Sequence, residues 1–183
     1  RRARLSSFGR TMLGSRPEML RVMRLDEAGN VREALPAQHA NDDDLASENH
    51  FLVAETRSAL DRARETLAPA ATGVLVLRHD TLGFVIYDPV IVRGRPTGYV
   101  GLSIAYAPLL RTALTPRVQG RFGYRITDSD GRVLAVSPRY PDRVSGFATQ
   151  RVTLPGGTHW QLDVPIGVFQ PRAARVVMWI VGL

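Results

Sequence analysis

Residues 73–105 constrain the fold more than any other stretch of the chain. An apolar run at 73–77 leads into Gly83-Phe84-Val85-Ile86-Tyr87-Asp88-Pro89-Val90-Ile91-Val92. After Arg93-Gly94-Arg95-Pro96 the run Gly98-Tyr99-Val100-Gly101-Leu102-Ser103-Ile104-Ala105 follows. Short runs rich in β-branched and aromatic residues, bounded by Gly and Pro, read as strands. Connections this short cannot carry the crossover that parallel pairing needs, so the three strands are antiparallel neighbours. Apolar residues fall on both faces, and both faces therefore need cover. A helix over 47–67 can cover one face, and the connector at 68–81 can arch over part of the other.

That helix has Ser47 as a cap and one apolar stripe of Leu52, Thr56, Ala59, Leu60, Ala63 and Leu67, with Pro69 as its stop. Ahead of it, residues 1–16 place Leu5, Phe8, Met12 and Leu13 at roughly helical spacing, up to Pro17. Residues 18–36 read as a hairpin around Asp26-Glu27-Ala28-Gly29-Asn30, and 36–47 as an exposed loop with the run Asp42-Asp43-Asp44. Residues 108–114 form a short helix closed by Pro116. The last third is a meander: strands at 123–127 and 133–136 flank Asp128-Ser129-Asp130-Gly131, and strands at 149–154 and 159–164 flank Pro155-Gly156-Gly157. The fold class is α+β with antiparallel sheets, arranged as two small units in tandem.

All 24 basic residues are Arg, and the net charge is +7. They are spread along the chain without a nucleic-acid-binding motif, so no nucleic-acid partner is expected. Without Cys there are no disulfides, thiolate metal ligands or thiol nucleophiles. No nucleophile stands beside a base, no paired carboxylates mark a cleft, and no Gly-rich phosphate loop is present, so neither an enzyme nor a cofactor is expected. The consecutive carboxylates at 42–44 read as solvated rather than as a metal site. The opening Arg1-Arg2-Ala3-Arg4, without Met or signal peptide, reads as the start of an excised segment. Arg172 and Arg175 precede the apolar run Val176-Val177-Met178-Trp179-Ile180-Val181-Gly182-Leu183. The run is too short to span a bilayer, which takes about 20 residues, but it resembles the start of a transmembrane helix. A C-terminal strand or core helix is the alternative.

Four segments carry a resemblance to the CHASE domains, the extracytoplasmic sensor domains of bacterial signalling receptors. They are Ala59-Leu60-Asp61-Arg62-Ala63-Arg64-Glu65-Thr66; Leu82-Gly83-Phe84-Val85-Ile86-Tyr87-Asp88-Pro89-Val90; Thr97-Gly98-Tyr99-Val100-Gly101 with Leu109-Leu110; and Thr158-His159-Trp160-Gln161-Leu162. The resemblance spans roughly residues 45–165. It implies an N-terminal stalk helix (1–16), a membrane-distal PAS-like ligand-binding unit (17–115), a membrane-proximal PAS-like unit (116–166) and a return to the membrane (167–183). It also implies a receptor of the bacterial inner membrane with this domain facing the periplasm, flanking transmembrane helices, a homodimer, and a cytoplasmic kinase or GGDEF-type output. The partner is then a small molecule such as a carboxylate, an amino acid or a hormone-like compound. Asn49 stands where the cytokinin-binding branch has a carboxylate, and Leu102 where it has a small residue. The resemblance thus carries over the place of the pocket and not an adenine-type ligand.

The pocket is expected between the strands at 83–90 and 97–105 and the helix. Arg78 and His79 lie in the connector that borders it, and Arg78 suits a bidentate grip on a carboxylate; an exposed polar turn is the alternative. Tyr87 and Asp88 sit mid-strand, where a buried carboxylate needs a partner; a strand-end cap or an Arg salt bridge is the alternative. Gly98, Gly101 and Ser103 line one strand, and these small residues either admit a ligand to the backbone or pack against the helix; Tyr99 on the same strand is a polar group placed to converge on the pocket. Phe84 and Ile86, or Val85 in their place, form the floor.

Overall fold

The computed structural model describes residues 2–36, 49–77, 80–114, 122–141, 143 and 146–166. Its elements are helix α1 (Arg2–Ser15), strands β1 (Met19–Asp26) and β2 (Val31–Pro36), helix α2 (Ala54–Thr66), strands β3 (Ala70–Ala71), β4 (Leu75–Val76), β5 (Leu82–Val92) and β6 (Arg95–Ala105), helix α3 (Tyr106–Ala113), and strands β7 (Arg125–Asp128), β8 (Val133–Val136), β9 (Phe147–Thr153) and β10 (His159–Pro165). The chain divides into two compact units, Arg1–Leu109 with Pro155–Gly157, and Leu110–Leu154 with Thr158–Leu183. Each contains one antiparallel sheet, as the short turns require. Among the described residues no helix is long and apolar enough to cross a membrane. The acidic run 42–44, Ser47, Arg78, His79 and the apolar run at 176–183 lie outside the described residues.

In the first unit the sheet order is β2-β1-β6-β5-β3, with β4 also paired to β5. Register places Val85 opposite Ser103, Tyr87 opposite Gly101 and Pro89 opposite Tyr99. Met23 and Leu25 of β1 stand opposite Gly101 and Tyr99. Directly opposed residues share a face, so these side chains all lie on one side. That side meets α2: Ala59, Leu60 and Ala63 join Met23, Leu25, Val85, Tyr87 and Tyr99 in the buried cluster.

Leu75 and Leu77 pack on this same cluster. The connector therefore covers the face that α2 covers, and not the opposite one, as the sequence suggested. The opposite face is met by α1, whose Gly9 comes so close that a Cβ there would lie 2.6 Å from Leu35 Cδ1. Phe84 and Tyr106 also meet on that side, with ring centroids 5.2 Å apart.

Helix α2 begins at Ala54, later than its apolar pattern suggests. The residues ahead of it have other partners. Asn49 bridges to Asn30, its side-chain oxygen accepts from the Phe51 backbone N–H at 2.8 Å, and the Thr56 hydroxyl donates to the His50 carbonyl. Such local bonds compete with helical ones. The helix ends where Leu67 turns left-handed at φ 51, two residues before Pro69.

The second unit has the sheet order β8-β7-β10-β9. Its buried apolar residues include Ile126, Trp160, Leu162 and Val164. The last three alternate along β10, so one face of the strand is apolar and the other carries Gln161 and Asp163.

Candidate ligand-binding site

The period of two along a strand divides the residues singled out in the sequence. Tyr87, Tyr99, Gly101 and Ser103 lie together on the α2 side. Phe84, Ile86 and Asp88 alternate with Val85 and Tyr87 and so point to the other side. Asp88 is exposed there and does not converge with Tyr87. Val85, not Phe84 or Ile86, faces α2. Arg78 and His79 lie outside the described residues.

Two residues given no role in the sequence reading complete the site. His50 Nδ1 lies 2.6 Å from Tyr87 Oη, and the two rings meet edge to face at 5.8 Å. Phe51 covers Tyr99 edge-on at 6.3 Å, with the Arg64 guanidinium 5.5 Å over the Phe51 ring. Arg64 is held by Asp61 at 2.5 Å. No sequence signal points from residue 50 to residue 87; the pairing arises because the 49–51 segment is tied to the β1–β2 turn.

Asn49 is part of that tie, donating to Asn30 Oδ1 at 2.8 Å and to the Ala28 carbonyl at 3.3 Å. Its side chain thus serves the turn. Leu102 stands opposite Ile86 and Val22 and so lies on the face away from α2.

The Tyr99 hydroxyl is the anomaly of this face. Tyr99 is fully buried, and its Oη has no hydrogen-bond partner. A buried hydroxyl without a partner forfeits about 1–3 kcal/mol. Burial pushes its pKa above the ordinary phenol value, with Asp61 and Glu27 adding to the rise and Arg64 opposing it. The neutral hydroxyl is the form held there, with a donor proton to offer. Ser103 is also buried on this face. A largely apolar face with buried hydroxyl-bearing residues at Tyr99 and Ser103 suits an uncharged or partly apolar molecule with a polar end. Among the described residues no group of three or more His, Asp and Glu is placed to hold a metal ion.

No protein-family model and no curated protein matches the sequence. Solved structures do match in fold. An extracellular ligand-binding receptor from Desulfohalobium retbaense aligns over 90% of this chain and 33% of its own, with TM-score 0.65 and 13% identity. A domain of a sensory box/GGDEF family protein from Vibrio parahaemolyticus aligns over 90% of this chain and 78% of its own, with TM-score 0.63 and 13% identity. The ligand-binding domain of the Pseudomonas aeruginosa amino acid chemoreceptor PctB, in complex with L-Arg, aligns over 89% and 75%, with TM-score 0.55 and 18% identity. The chain has the fold of extracellular sensor domains. The chain thus spans a third of the Desulfohalobium receptor and three quarters or more of the other two domains. At these identities the likeness is one of fold, mixed α/β and mostly antiparallel.

Proposed function

We propose that this chain is the extracytoplasmic small-molecule sensing domain of a membrane-bound signalling receptor, and that it binds rather than transforms its ligand. The observation that carries this reading is the fold shared with ligand-binding domains over about nine tenths of the chain. The buried, unpartnered Tyr99 hydroxyl on the α2-covered face supports placing the ligand in the first unit. Within that reading α1 is a stalk helix and the two units are tandem PAS-like modules. The four CHASE-like segments support the CHASE type. The Arg1–Arg4 cluster and the apolar run at 176–183 support flanking transmembrane helices, and the CHASE-like segments support a periplasmic location and a homodimeric receptor with a kinase or GGDEF-type output.

A thermal-shift screen of L-amino acids, small carboxylates and purines tests it. One class should raise the melting temperature saturably, with about 2.7 kcal/mol of stabilisation at a hundredfold excess over Kd. Tyr99→Phe and Ser103→Ala should each weaken the response by roughly tenfold, the loss of one hydrogen bond. A hit that binds equally well to both variants places the ligand elsewhere.

A second reading is a structural or dimerisation domain without a ligand. The observation in its favour is that Met23, Leu60, Tyr87 and Tyr99 all show 0% exposure, so the chain's own side chains fill this part of the face. On that reading no compound of the screen shifts the transition.

A further inference from the structure

The second unit carries a polar cluster on the sheet face away from Trp160 that its own core does not need. Asp163, on β10, is almost fully buried, yet both of its oxygens are occupied. Oδ1 accepts from Thr149 Oγ1 at 2.8 Å and Gln161 Nε2 at 3.0 Å, and Oδ2 accepts from Arg125 Nη2 at 3.2 Å. The Arg125 guanidinium lies 5.4 Å from the centroid of Tyr140 and 5.5 Å from that of Phe147, and these two rings are near-parallel at 6.1 Å. Inside this cluster two hydrogen-bonding atoms are buried without a partner, Arg125 Nε and Tyr140 Oη.

A structural clasp around Asp163 needs only the Arg125 edge that is already used. The free Nε–H and the phenol O–H are two donors with nothing to donate to, and natural proteins rarely leave such groups orphaned. Register puts Arg125, Arg151 and Asp163 on the same face, Arg125 opposite Asp163 and Arg151 opposite Gln161. Among the described strand residues of this face two guanidinium groups stand against one carboxylate, which favours an anion. Phe147 is 39% exposed and offers an apolar surface beside the donors. The side chain of Arg125 is 36% exposed, so part of it reaches solvent although Nε itself is buried.

We propose that this face of the second unit binds a small organic carboxylate with a flat apolar body. Its carboxylate accepts from Arg125 Nε and Tyr140 Oη, a charge-assisted pair of bonds. Its body lies against the rings of Tyr140 and Phe147. Asp163, Thr149 and Gln161 hold the guanidinium in place and touch no ligand atom. The site is separate from the α2-covered face of the first unit.

Benzoate is a suitable probe, read on the whole chain by the NMR signal of the Arg125 Nε–Hε group, assigned by its loss in Arg125→Lys. Benzoate should move this signal saturably. Sodium chloride at equal ionic strength should not. Tyr140→Phe keeps the ring and removes one donor, and should weaken binding about tenfold, whereas Tyr99→Phe should leave it unchanged. No saturable movement, an equal response to chloride, or unchanged affinity in Tyr140→Phe would overturn the proposal. Loss in Tyr99→Phe would overturn it too, by placing the benzoate site in the first unit. A ligand of the first unit found by thermal shift is unaffected by any of these results.

Discussion

Tyr99 concentrates the residue-scale physics of the first unit. Its ring fills the core while its hydroxyl stays unpartnered, so removing the oxygen alone should not harm the fold. Tyr99→Phe is expected to match or exceed the parent stability by up to about 1 kcal/mol in urea unfolding. A loss of more than that would mean the hydroxyl is satisfied in solution. The same burial sets a pH dependence. The folded-state pKa lies above the ordinary phenol value of 10.0, so its contribution is fully present below the unfolded phenol pKa. It is lost as pH rises towards the folded pKa. Stability should therefore fall faster above pH 10 in the parent than in Tyr99→Phe, and equal slopes would count against the buried neutral phenol. Tyr99 was legible in the sequence as a strand residue facing a helix. Its vacant hydroxyl was not, because vacancy depends on every neighbour in space.

At the scale of elements, turns and strand period were readable and helix starts less so. The hairpins form where Gly29, Gly94 and Gly131 place them, each with positive φ. The late start of α2 was hidden because it depends on Asn49 finding Asn30 across nineteen residues. Two glycines with the same backbone angle separate local cost from tertiary cost. Gly131 has φ 79 and open space around it, whereas Gly29 has φ 78 and a Cβ there would lie 2.2 Å from the Phe51 ring. Gly131→Ala should cost about 1 kcal/mol, the price of the left-handed conformation alone. Gly29→Ala must also displace Phe51 from Tyr99 and should cost at least about twice as much. Chemical denaturation of the two variants reads the difference, and equal costs would show that the Phe51 segment yields freely.

At the scale of the whole molecule, each unit is built on its own antiparallel sheet, and stability should be uneven across them. β6 is paired on both sides along Tyr99–Ile104, by β1 and β5. Beyond Pro89 the β5–β6 hairpin continues only as Ile91 opposite Pro96 and Val92 opposite Arg95, with Val90, Ile91 and Val92 exposed. Amide exchange should be slowest at Val85–Tyr87 and Val100–Ser103 and fast at 91–95. Comparable protection of the hairpin tip would reveal a partner for it. Period, turn residues and short connections were enough to specify antiparallel strands, their order along the chain and the α+β class, because each depends on neighbours a few residues apart. That Asp88 and Tyr87 point to opposite faces follows from strand period alone, whereas the side covered by α2 and the connector, the meeting of His50 with Tyr87 and the Arg125 cluster were decided only by the tertiary structure. Each is a contact between distant residues, set by the path of the whole backbone and the side chains it brings to one face.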